Sequence, residues 1–414
     1  MMILAVLVLL SFAYLTYRDF KLALVILLAL LPTYLIRFSI GPVPTTLLEC
    51  LVLVILGFWF FKEKGRMLEF LRSLGPYRVP MLLLLASSCF AVVVEPDTFA
   101  ALGIWKAYFI EPFLLFFVFR STFTARKDWE RAFFALGGTV VALSLFALVQ
   151  RATGLGIPAP WDIELRATSF FDFPNALGLF VAPIVTAAVV YASCFGHPLA
   201  MNRRITAIVI AVFGLLACFL SQTEAVFVAI PSALLIVLMF STAPLKIKAY
   251  IGSAVLLIGF ACFMFVPTVH EKLLLQDISG QARLAQWHET TTYLKSHWLT
   301  GAGLAGYPTA IKPYHDGRIF EIFQYPHNIL LNFWVELGLL GVIALLGFIV
   351  STSRVTLMRR GDVFTLMAFG ALATMVIHGL VDVPFFKNDL AILTVAMLAM
   401  TLAPPPTPPW KGGE

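Results

Sequence analysis

Thirteen apolar runs divide this chain, most of them near the length of a membrane-crossing helix. They lie near 2–17, 22–40, 45–61, 79–94, 101–119, 132–149, 175–195, 205–221, 223–242, 249–267, 327–350, 363–384 and 388–403. A span needs about 20 apolar residues, within a range of about 17–25. Inside hydrocarbon every backbone N–H and C=O must find a partner within the chain, so such runs become packed α-helices. The expectation is an all-α, polytopic membrane protein with about 12–13 transmembrane helices, the short first and last runs being candidates for interfacial helices. Composition agrees. The chain is 60% hydrophobic and 13% charged, where soluble domains carry about 25% charged residues. The first run lacks a basic leader and a small-residue cleavage site, so it is expected to stay as a helix rather than be removed as a signal peptide.

The formal net charge is +6, yet nucleic acid is not an expected partner. The basic residues sit in short clusters between apolar runs rather than on one face. Nineteen Lys and Arg fall in one set of alternating loops and nine in the other, with Lys106 inside a helix. Cytoplasmic loops carry the excess of Lys and Arg, so the N-terminus is expected outside and the C-terminus inside. The five cysteines (Cys50, Cys89, Cys194, Cys218, Cys262) lie in apolar runs without a C-x-x-C spacing. They read as small buried side chains rather than a disulfide framework.

Four regions follow: an N-terminal bundle of ten helices over 1–267, an extracytoplasmic loop over 268–326, C-terminal helices over 327–403, and a Pro-rich cytoplasmic tail over 404–414. Loops beyond about 15 residues are usually functional or disordered. Within the long loop, Leu284, Trp287, Thr291, Leu294 and Trp298 recur at helical spacing, which predicts an amphipathic helix lying on the membrane or the bundle. "TGAGLAG" at 300–306 reads as a flexible turn that ends it.

The next segment, "YPHNILLNFWVELGLLG" at 325–341, is unusual for a membrane helix. It starts on Pro326, His327 and Asn328 and carries Glu336. Lipid offers these groups nothing, so they are expected to face protein or water. His327, with an ordinary pKa near 6.5, is a candidate base, although a His at a helix start also serves as a cap or interfacial residue. Glu336 does not share its helix face and reads as paired within the bundle. Gly338 and Gly341 read as sites where a neighbouring helix approaches closely. Arg166 and Arg283 stand in the two long outward stretches. A lone outward Arg also serves as a lipid-headgroup contact, but two flanking one cavity would make a forked clamp for phosphate. Lys106 and Glu111 read as a pair on one helix, and His378 and Asp382, four apart, can meet. Asp382, Lys387 and Asp389 are candidates to line the same cavity. "DIE" at 162–164 is a weak metal motif. No nucleotide-binding motif is present, and no cofactor or metal is expected.

These segments resemble the O-antigen ligase and O-antigen polymerase superfamily of bacterial membrane glycosyltransferases. "YPHNILLNFWVELGLLG" is similar to its H-N-x-x-L…E-x-G-x-x-G signature, and "RLAQWHETTTYLKSHWLTGAGLAGY" to its R-x-x-x-W…G-x-G segment. "RATSFFDFPNALGLF" is similar to the upstream R…F…P-N-x-x-G element, and "HGLVDVPFFKND" to the closing H-x-x-x-D element. "LSQTEAVFV" at 220–228 departs from the family's S-x-S-R-G-A, with Glu224 at the basic position.

The resemblance implies a glycosyltransferase C-like fold in the bacterial plasma membrane, with an active site facing the periplasm or exterior. It implies a polyprenyl-diphosphate-linked glycan as donor, a glycan or lipid-A core as acceptor, His327 as catalytic base, and Arg166 and Arg283 as diphosphate contacts. Asn175, Trp287, Asn328 and Arg318 are further expected substrate contacts. The expected reaction is inverting, metal-independent glycan transfer of the ligase kind. A polymerase of the same superfamily is the alternative, and a secondary transporter is the rival from another class.

Overall fold

The computed structural model describes residues 2–62, 72–193, 200–315, 317 and 321–405. Arg318, Cys194 and the end of the Pro-rich tail lie outside the described residues. The chain is a helical bundle in sequence order: α1 (Met2–Arg18), α2 (Phe20–Ala29), α3 (Leu47–Lys62), α4 (Arg78–Val94), α5 (Thr98–Trp105), α6 (Glu111–Thr122), α7 (Arg126–Thr153), α8 (Pro174–Ser193), α9 (Met201–Leu220), α10 (Ala225–Phe240) and α11 (Leu245–Phe265). Then come α12 (Pro267–Leu273), α13 (Ile278–His297) and α14 (Tyr307–Ile311), followed by α15 (Ile329–Met358), α16 (Val363–His378) and α17 (Asn388–Met400). Among the described residues, seven helices are long and apolar enough to cross a membrane, and five shorter apolar ones accompany them. This is the all-α membrane architecture that the apolar runs predict.

The centre of the bundle is α8, which is buried on nearly every side and packs against α9 and α16. Alanines 176, 182, 187 and 188 keep it slim enough for that position. Small residues permit close approach where lipid gives helices no hydrophobic reason to associate. By contrast, α11 buries almost nothing against the chain. Basic side chains knit one end of the bundle. Arg126 pairs with Asp362, Arg120 donates to the Leu402 carbonyl at 2.5 Å, Arg359 donates to that of Thr401 at 2.7 Å, and Lys21 pairs with Asp128 at 2.8 Å. These residues belong to the loop set that holds nineteen of the Lys and Arg. The opposite end carries α12–α14 and the candidate site.

Several expectations are corrected. The run 22–40 is not one helix. It stops at Leu30, passes through a 3-10 turn (Leu31–Leu35) and ends in a small antiparallel hairpin, Arg37–Ile40 with Val43–Thr46. Pro32 explains the break, since it cannot donate into a continuing ladder. The ion pair of Lys106 is with Glu49 on α3 rather than with Glu111, although Lys106 opens a π-helical segment (Lys106–Ile110) and still acts electrostatically on Glu111. Of the four described cysteines only Cys218 is buried, and all four are free.

The largest correction concerns "TGAGLAG" and Gly338. Gly338 is a break inside α15, at φ 66 and ψ −169. Residues 299–305 enter the break and satisfy the freed backbone. The Ala302 N–H donates to Val335 O at 2.6 Å, the Leu339 N–H to Leu299 O at 3.2 Å, and the Ala305 N–H to the Glu336 carboxylate at 2.9 Å. Glu336 is 5% exposed, and its partner is a backbone amide rather than a cation. A Cβ on Gly338 would lie 2.2 Å from Leu299 O, and one on Gly303 2.8 Å from Ala91 O. The glycine-rich stretch is thus a packed plug, not a flexible turn. Tyr293, Leu294, Tyr307 and Val335 form the apolar cluster that fastens it.

Candidate functional site

The plug fixes α13 against the start of α15, and that contact builds the site. The buried face of α13 is Gln286, Glu289, Thr290, Tyr293 and Leu294, while Leu284 and Trp298 of the expected apolar stripe are exposed. The helix is turned because its polar groups have partners inside. Thr290 Oγ1 lies 3.1 Å from Tyr307 Oη, and Gln286 reaches His327.

His327 occupies the left-handed region at φ 47, a conformation uncommon for a non-glycine residue. Neighbours hold it on both sides. Trp287 Nε1 donates to Pro326 O at 2.9 Å. Asn328 caps α15 by accepting from the Leu331 N–H at 3.1 Å, and its Nδ2 donates to Leu380 O at 3.0 Å. The His327 Nδ1 lies 3.1 Å from Gln286 Oε1, and the rings of Tyr325 and Phe323 flank the imidazole. Burial lowers the pKa of His327, Asp382 opposes that shift, and Arg283 and Lys387 add to it. The shift favours the neutral imidazole, the form able to accept a proton.

Arg283, one turn before Gln286 on α13, donates Nε to Val381 O at 3.0 Å. Its two terminal nitrogens make no hydrogen bond among the described residues, so the forked end is open to a ligand. Val381 belongs to the turn after α16 that also carries buried Asp382 and Lys387. Buried His378 closes α16 at the same end. Lys387 rests its ammonium 4.1 Å above the Phe173 ring, and the charged end is buried with no hydrogen-bond partner. Burial lowers its pKa, against the pull of Asp382, Asp389 and Asp172.

Arg166 stands apart from this group. It donates to the carbonyls of Ser221 and Gln222 at 3.3–3.4 Å and lies 4.9 Å from the centre of the Trp161 ring. Burial lowers its pKa, while Glu164 and Glu224 raise it. Glu224, at the departure from the expected basic residue, pairs with Lys272 of α12, which also meets Asp277, the N-cap of α13. The segment after Arg166 does reach the site, because Phe173 underlies Lys387. Asn175 sits partly buried in the first turn of α8, two residues further on. Asp162 and Glu164 are exposed. Lys387, a sequence candidate with Asp382 and Asp389, is in this group. Gln286 is the residue that sequence reasoning missed; its signal was the i+3 spacing from Arg283.

Beside the polar group lies an apolar cavity of about 290 Å³, enclosed by α4, α6, α10, α15, α16 and α17. Ile329, Ile377 and Phe385 line it, each within three residues of His327, His378 or Asp382. The cavity lining thus includes sequence neighbours of His327, His378 and Asp382, but none of those three residues.

Fold and site together define a multi-pass membrane protein with a cluster of polar side chains at one end and an apolar cavity among its helices. Residues 209–346 match the family described as O-antigen ligase. The match covers about a third of the chain and agrees with the resemblance carried by its sequence motifs. It contains Arg283, Trp287 and His327 and begins downstream of Arg166. No curated protein matches the chain.

Proposed function

We propose that this protein transfers a glycan from a polyprenyl-diphosphate donor to an acceptor hydroxyl at the outer face of the plasma membrane, with inversion and without a metal. The observation that carries this reading is a half-buried His327 near Arg283, whose terminal nitrogens make no hydrogen bond among the described residues, with Ile329 two residues on lining an apolar cavity. The cavity takes the first isoprene units of the donor, and the polar cluster takes its diphosphate. The acceptor hydroxyl gives its proton to His327 as its oxygen attacks the anomeric carbon. The bond from that carbon to the diphosphate oxygen breaks, and the diphosphate leaves with the electron pair. Arg283 meets the charge growing on it, which is stabilisation confined to the transition state. Arg166 supplies the second forked donor. Its present bonds to Ser221 and Gln222 are long, and phosphate oxygens are stronger, charge-assisted acceptors. Asn175, Trp287, Asn328 and Arg318 remain proposed substrate contacts.

Lipid-linked glycans extracted from cells lacking the protein test the reading. Long polymer retained on its lipid and missing from the surface supports the ligase. Single units retained without polymer support the polymerase alternative. An unchanged lipid-linked pool overturns both and leaves a transporter or scaffold.

A further inference from the structure

The assignment of His327 as base leaves open which ring nitrogen does the work, and a buried contact from α13 answers that. Gln286 is 5% exposed and presents Oε1 to His327 Nδ1 at 3.1 Å. A neutral imidazole carries its proton on one nitrogen only, and the partner of the other nitrogen selects which. We propose that Gln286 is a positioning residue that holds His327 as the Nδ1–H tautomer and so leaves Nε2 as the proton acceptor; this rests on His327 being the base.

Three features of the site favour this arrangement. First, Gln286 is held on a helix fastened after its C-terminal end by the plug at 299–305 and, at the adjoining residue, by the Trp287 bond to Pro326. Its amide is therefore a fixed partner rather than a mobile surface group. Second, the residues on either side of His327 are tethered, Pro326 by Trp287 and Asn328 by its bond to Leu380 O, which keeps the imidazole's attachment point beside Gln286. Third, an amide fixes the tautomer without adding charge. A carboxylate at this position would stabilise the imidazolium and raise its pKa, removing the free base at neutral pH. The charged groups that do face the ring are Asp382 and Lys387 from the turn after α16 and Arg283 from α13. His378 lies close behind them.

The amide has a second end. Gln286 Nε2 is buried with no hydrogen-bond partner in the described structure. A buried donor left unmade is unfavourable, so a substrate oxygen is its natural complement. The reverse orientation of the amide would instead donate Nε2–H to Nδ1 and move the ring proton to His327 Nε2. No lone pair would then face the acceptor hydroxyl. The tautomer therefore decides between the two.

Nitrogen-15 spectra of histidine-labelled, detergent-purified protein read the tautomer directly, with His327→Ala identifying the signal. The expected result is an Nδ1–H ring in the unaltered protein, and mixed tautomers in Gln286→Leu. Transfer by Gln286→Leu should fall roughly 10–100-fold, the range typical of a lost orienting partner. Gln286→Glu should move the acid limb of the pH–rate profile upward by about one unit or more. An Nε2–H ring in the unaltered protein overturns the proposal, and that measurement needs no variant to fold. An unchanged tautomer, rate and pH profile in both Gln286 variants overturns it as well. Full transfer by His327→Ala would instead end the base assignment, a different outcome from either.

Discussion

Replacing Gly338 with alanine should cost this protein a large fraction of its stability, and the structure supplies the terms. At φ 66 and ψ −169 the residue lies in a region open essentially to glycine alone. Holding another residue there costs about 1–3 kcal/mol. The new Cβ would also meet Leu299 O at 2.2 Å, so the plug must withdraw. With it go the bonds from Ala302 N–H to Val335 O and from Leu339 N–H to Leu299 O, at about 0.5–1.5 kcal/mol each. The sum is roughly 2–6 kcal/mol against a typical total of about 5–15 kcal/mol. The assay is thermal unfolding of the detergent-purified protein, with limited proteolysis across 299–307. Gly338→Ala should melt far lower and be cut in the plug. Gly259→Ala, where a Cβ meets nothing within 4 Å, is the control and should leave both readouts unchanged. A Gly338→Ala protein with normal melting and an uncut plug would refute the claim that the break in α15 is what seats the loop.

Activity should persist through pH 6.5 and decline only below it, because burial lowers the His327 pKa and the base works unprotonated; a decline beginning well above pH 6.5 would contradict this. The linked stability has the same sign. The native state binds this proton less readily than the unfolded state, so the contribution is present above 6.5 and lost as pH falls towards the lowered value. Arg283→Lys and Arg166→Lys should each lose about 10²–10³-fold in transfer, since lysine keeps the charge but not the forked pair of donors. The double variant should lose less than the sum if both grip one diphosphate; near-normal turnover in both single variants would reduce the arginines to headgroup contacts. Transfer should survive EDTA and the Asp162→Asn, Glu164→Gln double change, whereas loss restored by magnesium or manganese would move the chemistry to those acids.

The helices were legible because hydrocarbon leaves a chain so few options that run length nearly determines structure. Even so, Pro32 ended one run early, and Lys106 found its ion-pair partner in Glu49 on another helix rather than in Glu111. His327 and Arg283 could be picked from sequence because a charge or imidazole beside a membrane helix demands a reason. What the sequence concealed were pairings across long separations. Gln286 meets His327 across 41 residues, and Lys387 meets Phe173 across more than two hundred. The glycines of 301–306 looked like a loose turn because local patterning cannot distinguish mobility from a backbone packed against another backbone. Only the break at Gly338, itself hidden within an apolar run, makes the difference visible.

The most direct test of the central claim is glycan transfer by purified protein from a polyprenyl-diphosphate donor, comparing the unaltered chain with His327→Ala. General-base help is worth about 10²–10⁴-fold. The variant should elute from size exclusion as the unaltered protein does, yet lose transfer by at least about 10²-fold. Near-normal transfer by a folded His327→Ala protein would contradict the account.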